Sequence, residues 1–416
     1  MAKNYADLYN LSGDSIALEQ RFYIKQEASN LRGVAVAPTG ADFFFTAQGG
    51  SVEFTQPFEP SPHRSGRGFV GTIKGKKECS WTLPTLFNID TTLGSGGAAE
   101  IDPALRVLWK SLLGKEVVSS GLIYTRDTPD ISFTILETGD RWSRLVRGAF
   151  VQSANLQFPG DGDSMIEWSG NAKDALYVGI GKSITNNITN TVTLVTGDGK
   201  LFENAVGAFV MIVEANGTTR STDTPDGSPR TVVSVVGDVV TLSGAPLVDA
   251  DGSGLNAPIY LSYYEPATPV SINSPVTGLQ GAITVDSMAI QQCVRTFTLT
   301  LTNNHEMRTD CYGSDSLDGS LFVPGSRMEA RVSLQMNLNK EVMKLFKDLQ
   351  VFTVQEIALR LGSATGRRFE LFLPKVEFPL PSITVPEEGS IPVDFNDGLA
   401  LQTADGAKDE VTASYL

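Results

Sequence analysis

Apolar and polar residues alternate with a period of two along most of the chain, and twice this gives way to a helical period. After the aromatic run Phe43–Phe45, Val52 and Phe54 fall on one face and Glu53 and Thr55 on the other, as in a half-buried strand. A Pro/Gly/Ser loop over 57–68 separates this strand from a second extended stretch over 68–87. The first helix follows a Gly-rich linker. Asp102 is a natural N-cap, Pro103 suits the first helical position, and Gly114 is a natural stop. Leu105, Leu108, Trp109 and Leu112 lie at i, i+3, i+4 and i+7. Strands are predicted at 131–137, 141–151 and 164–170, with Thr138–Asp140 and Asp161–Asp163 as turns.

The same order returns late in the chain. Extended stretches at 282–304 and 326–338 flank a polar loop over 305–320. Asn339 caps a helix whose apolar positions are Val342, Leu345, Phe346 and Leu349, the spacing of the first helix again. The helices align at 346 − 109 = 237 residues, and residues 148–151 align with 373–376 at 373 − 148 = 225. Strands at 351–361, 367–376, 391–397 and 409–415 complete the second copy, and the pattern reads as an internal duplication.

Between the copies the composition turns rich in Thr, Val, Gly and Asn. Strand candidates at 190–200, 205–217, 230–244 and 257–265 predict a small closed barrel or sandwich. The expected fold class is mainly β with short helices (α+β). The expected organisation is an N-terminal arm over 1–30, a first unit over 31–177, an inserted β-domain over 178–272 and a second unit over 273–416. Within the arm, residues 18–27 are expected to form a short helix only if they dock, since alone they are too short to be stable.

Composition narrows the function. The 33 basic and 47 acidic residues give a formal charge of −14, the opposite of a DNA-gripping surface. No apolar run approaches the roughly 20 residues of a membrane span, and the N-terminus lacks the order of a signal peptide. Cys79, Cys293 and Cys311 have neither disulfide-scaffold nor zinc spacing, which fits a cytosolic environment.

The run 369–415, with its Pro374-Lys375-Val376 strand, Pro-punctuated loop and closing acidic-hydrophobic strand, resembles the end of major tail tube proteins of long non-contractile phage tails. The opening of the first copy, 32–84, is similar to the N-terminal portion of that family, including its long loop between two strands. The duplicated form resembles the type found among Chi-like flagellotropic siphophages. The resemblance covers roughly three-quarters of the chain and rests on pattern rather than on any catalytic signature. It implies two tandem tail-tube units of β-sandwich form, one sheet of each joining its neighbours into a barrel around a lumen. Three chains then close a pseudo-hexameric ring, and rings stack into the tube that conducts phage DNA. The implied partners are other copies of the chain, the tape-measure protein and transiting DNA in the lumen, and the tail terminator and baseplate or tip proteins at the ends. The implied location is the virion tail, assembled in the host cytoplasm, with no membrane insertion. A multidomain β-rich virion surface or adhesin-type protein is the alternative.

The two long loops differ in charge. The first carries Arg64, Arg67, Lys74, Lys76 and Lys77 without an acid between Ser61 and Lys77, and the second carries Glu306, Asp310, Asp315 and Asp318 against Arg308. They are candidates for a contact between subunits or rings. No catalytic, metal or cofactor constellation emerges, so no enzymatic activity and no cofactor are expected. His63 and His305 lie in these loops without a nucleophile motif, and 249–252 only begins to look like a calcium loop. The Trp and Phe clusters are expected in core and interface packing. Which face of each strand looks inward turns on register, which a one-residue slip inverts.

Overall fold

The computed structural model describes the chain apart from residues 1–2, 12–13, 16–19, 30, 48, 62–63, 66–67, 70, 88–91, 94–98, 120, 129–130, 185–188, 219–228, 245–246, 248–257, 268–280, 291–293, 308–321, 325–326, 352, 365–366 and 384. Among the described residues strands take up 52% and helices 12%, so the fold is mainly β with short helices.

A short helix, α1 (Tyr5–Asn10), opens the chain, its N-terminus capped by the Asn4 side chain. The first unit then contains β1 (Arg21–Gln26), β2 (Phe43–Phe44), β3 (Ser51–Thr55) and β4 (Glu78–Leu86). Helix α2 (Pro103–Leu113) leads into the hairpin of β5 (Gly114–Val118) and β6 (Leu122–Arg126). The unit closes with β7 (Phe133–Thr138), β8 (Ser143–Pro159), β9 (Met165–Ala172) and β10 (Asp174–Val178).

These strands make two antiparallel sheets. Sheet I runs β2–β1–β7–β8–β10 and sheet II runs β3–β4–β9–β8. The long β8 serves both, its first half in sheet I and its second in sheet II. It changes sheet beside Gly148, whose φ of 64° favours glycine. The buried Glu27 carboxylate fixes that bend, accepting from the N–H groups of Gly148 (2.8 Å) and Gly33 (2.7 Å) and from the hydroxyls of Ser132 (2.6 Å) and Thr134 (3.0 Å). Ile24, Ile135 and Val146 from sheet I share one core with Val52, Trp81, Leu83 and Trp168 from sheet II.

The helix expected over 18–27 is instead the strand β1. Phe22, Tyr23 and Ile24 are all buried, so both faces of the segment are covered. Pairing with β7 and β2 satisfies its backbone, which outweighs the weak helical tendency of so short a segment. Residues 21–26 thus belong to sheet I rather than to an arm.

The insert has its own six-stranded antiparallel sheet, in the order Ile180–Lys182, Tyr260–Tyr263, Phe209–Val213, Arg230–Val236, Val239–Leu242, Thr191–Thr193. Its edge strands meet through the Ser183–Leu194 bridge and a bond from Val195 N–H to the Lys182 carbonyl (2.8 Å). The sheet therefore closes as a small barrel. The barrel packs on the outer face of sheet I, where Tyr23, Leu136, Leu145 and Leu176 join its core. Tyr263 Oη donates to the Asp140 carbonyl (2.8 Å), and Arg21 pairs with Glu265 (2.6 Å). Helix α1 packs against the barrel through Tyr5–Tyr263 and Tyr9–Tyr260.

The second unit comprises β11 (Gly281–Val285), β12 (Val294–Thr302), β13 (Glu329–Asn337), α3 (Lys340–Gln350), β14 (Gln355–Ala364), β15 (Arg367–Glu377), β16 (Ser382–Ile383), β17 (Pro392–Ala400) and β18 (Thr412–Tyr415). Its ladders repeat those of the first. The series β11–β14–β15–β18 matches β1–β7–β8–β10, and β12–β13–β17 matches β3–β4–β9. Thr55 faces Glu78 as Thr302 faces Glu329. The β7–β8 and β14–β15 hairpins carry a register shift at the same place, between Phe133 and Ile135 and between Gln355 and Ile357. That bulge equates Val146 with Leu373, an offset of 373 − 146 = 227. The sequence alignment of 148–151 with 373–376 is therefore two residues out, because the bulge and the hairpin turn, not matching letters, set the register.

The helices differ in their caps. Asn339 accepts from Val342 N–H (2.8 Å), whereas the Asp102 side chain makes no capping bond and Pro103 alone punctuates α2. They also differ in cover. Helix α2 is buried nearly all round, while α3 buries Val342, Leu345 and Leu349 on one face only.

Candidate assembly surfaces

The two units are joined by continuous strand pairing. Residues Ser153–Pro159 of β8 pair with Thr296–Thr302 of β12, so sheet II of the first unit runs on into that of the second. On the other layer, β6 of the extra hairpin pairs with β18. Two edges of the second unit, β12 and β18, are thus covered by the first.

Trp109 sits at the centre of this junction with no exposed surface. Its indole N–H donates to Tyr415 Oη (2.8 Å), its ring stacks on Tyr124 at 5.9 Å, and Trp168 meets it edge-on at 5.2 Å. Phe369 and Phe87 complete the cluster, 4.6 Å apart. Complete burial pushes the Tyr415 and Tyr124 phenols far above their ordinary range. Beneath them, burial pushes the Glu116 carboxyl up. The two bonds from Arg106 (2.6 and 2.7 Å), the nearby Lys110 and the Tyr124 hydroxyl outweigh that and hold it below the ordinary carboxylate range. The ion pair Arg126–Glu410 and the bonds from Asn303 Nδ2 to the Ser111 and Val151 carbonyls (3.3 and 3.2 Å) add polar links across the seam.

The equivalents of the covered edges are open at the far end of the first unit. Among the described residues β3 pairs only with β4, and β10 only with β8. At the other end of the chain, the segment equivalent to Ser153–Pro159 is 380–386. It pairs with β17 through Ser382 and Ile383, and the described residues place no strand on its other side. Leu380 and Val385 there are 58% and 70% exposed. Prolines at 379, 381 and 386 interrupt this edge and limit indiscriminate pairing.

The charged loops are hairpins that leave sheet II at matching places, between β3 and β4 and between β12 and β13. In the first, Phe58–Pro60 pairs with Thr72–Lys74, placing Lys74 exposed at the end of a strand, and Lys76 and Lys77 are half-buried near its base. Arg64 lies in the short strand Arg64–Ser65, and Glu306 in His305–Met307, which pairs with Phe322–Pro324. The side chains of Arg64 and Glu306, and residues Arg67, Asp310, Asp315 and Asp318, lie outside the described residues, as do His63 and 249–252. His305 is buried against Phe150 (6.3 Å), and burial lowers its pKa.

Among the described residues no cluster of His, Cys, Asp or Glu is built to hold a metal, and no helix is long and apolar enough to cross a membrane. Sequence reasoning placed Trp109 in a helix core but missed its bridge to Tyr415, for which the chain carries no local signal. It also missed the β5–β6 hairpin, although the β-branched and aromatic residues Val117, Val118, Ile123, Tyr124 and Thr125 on either side of Gly121 mark it. No protein-family model and no curated protein matches the chain.

Proposed function

We propose that the chain is the protomer of a tube: copies join edge to edge into closed rings that stack into a phage tail tube. The observation that carries this reading is the pairing of covered and open edges. The first unit covers β12 and β18 of the second, while the equivalent edges β3 and β10 stay open at one end and 380–386 lies open at the other. A second copy placed by the same relation covers β3 with 380–386, whereas β10 gains no strand, since α3 leads straight into β14 without a hairpin like β5–β6. Carrying the β8–β12 register over, Leu380 falls opposite Thr55 and Ile383 opposite Val52 of the next copy. Closure pairs β3 with 380–386 and so removes the exposed edges of sheet II, which are otherwise an aggregation hazard.

The tail-tube assignment rests on the resemblance of 32–84 and 369–415, together with this edge logic. Two units per chain make three chains the natural ring of six. The barrel insert, fixed on the face of sheet I away from the shared core, then decorates the outer wall. The acidic balance suits a lumen that DNA slides through. The oppositely charged hairpins are proposed to meet across a subunit or ring contact, and Arg64→Glu with Arg67→Glu is expected to impair assembly. Native mass spectrometry of the purified chain tests the reading. Trimers or their multiples are expected; a monomer at every concentration favours the surface-binding alternative.

A further inference from the structure

We infer that α3 is a docking element, seating Phe346 and Met343 on the Trp142–Arg144–Tyr177 cluster of a second copy of this chain. The inference rests on the ring reading above and follows from equivalences within the fold. Trp109 of α2 corresponds to Phe346 of α3, and Arg106 to Met343, at the offset of 237 fixed by Val342, Leu345 and Leu349. In α2 Trp109 is buried against the second unit, in contact with Phe369 and Tyr415, while Arg106 beside it is half-buried and pairs with Glu116 of its own unit. In α3 the Trp109 position has no such cover. Phe346 is half-buried and Met343 is 38% exposed.

The receiving surface is identified the same way. The bulge-matched offset of 227 equates Phe369 with Trp142 and Leu371 with Arg144. The strand registers Leu145–Leu176 and Phe372–Thr412 equate Ala413 with Tyr177. In the second unit Phe369, Leu371 and Ala413 are at most 1% exposed because the first unit covers them. Their counterparts stand at the open end of the first unit. Tyr177 is 44% exposed, Arg144 stacks over both Trp142 and Tyr177 at 5.7 Å, and Phe54 lies 6.3 Å from Tyr177. The substitutions run in the direction a separable contact requires. Leu359 and Leu371 are replaced by the ion pair Glu137–Arg144, whose guanidinium also donates to the Val52 carbonyl (2.6 Å), so the polar groups of the receiving surface are satisfied before a partner arrives. An aromatic side chain entering beside a stacked guanidinium is a favourable docking arrangement.

Crosslinking tests the seam. Full-length protein carrying Cys293→Ser and Cys311→Ser receives Phe346→Cys and Trp142→Cys together, and a short bis-maleimide is added after assembly. The expected result is covalent dimers and trimers on a denaturing gel, with neither single variant forming them. In parallel, Phe346→Asp is expected to raise the concentration needed for assembly at least about tenfold while the isolated chain melts as wild type. Rings that form without crosslinks, and a Phe346→Asp chain that assembles like wild type, overturn the helix seam and leave the ring reading standing. A wild-type chain that never associates overturns both.

Discussion

Replacing Trp109 by alanine tests whether the two units share one core rather than merely touching. The side chain is fully buried and meets Tyr124, Trp168, Phe369 and Tyr415. Truncating a buried Trp to Ala costs about 3–5 kcal/mol through lost burial and the cavity left behind. The bond from its indole N–H to Tyr415 Oη also disappears, leaving a buried hydroxyl short of a donor, which adds about 1 kcal/mol. The sum, about 4–6 kcal/mol, is a large share of the 5–15 kcal/mol of an ordinary domain. Trp109→Phe keeps most of the ring and loses the bond, so its cost is about 1–2 kcal/mol. Urea titration followed by near-UV circular dichroism reads both variants. Because Tyr415 and Phe369 belong to the second unit, its unfolding midpoint is expected to fall along with that of the first. A loss below about 1 kcal/mol for Trp109→Ala, or a second unit that melts unchanged, refutes the shared core.

Three further outcomes follow from particular contacts. Glu27→Gln puts an amide among four donors at the bend of β8 and is expected to cost about 2–3 kcal/mol by thermal or urea melting. Asn339→Ala removes the cap bond of α3 and is expected to cost about 1 kcal/mol, whereas Asp102→Ala, which removes no cap bond, leaves the α2 helix signal nearly unchanged. His305 has its pKa held below the ordinary 6.5 by burial, so the unfolded chain binds a proton that the folded chain refuses. Its contribution is intact above pH 6.5 and is lost as pH falls from there toward the folded value. His305→Phe, which keeps a ring beside Phe150, is expected to flatten that part of a stability-against-pH curve.

What was legible in the chain was whatever a single element writes into its own residues. Leu105, Leu108 and Leu112, and Val342, Leu345 and Leu349, mark their helices by spacing alone, and the Thr138–Asp140 turn lies where the β7–β8 hairpin turns. The composition shift around residue 178 marks a segment whose strands close on themselves. Segment 18–27 misled because its polar flanks hide the fact that Phe22, Tyr23 and Ile24 are covered on two faces, by the shared core and by the barrel. Two-sided burial erases the alternation that announces a strand. The junction was illegible for a different reason. Trp109 and Tyr415 are 306 residues apart, and nothing local in either segment points to the other. The open edges likewise exist only once the ladders are laid out, since an edge is defined by the strand that is absent beside it.

The central claim is that the relation between the two units is repeated between chains. Electron microscopy of the purified full-length chain, negatively stained and then averaged end-on, measures this most directly. The account predicts rings of six similar units contributed by three chains, open at the centre, with one peripheral lobe for every second unit where the inserted barrel sits, and stacks of such rings at higher concentration. Discrete two-unit particles with no ring at any concentration would contradict it.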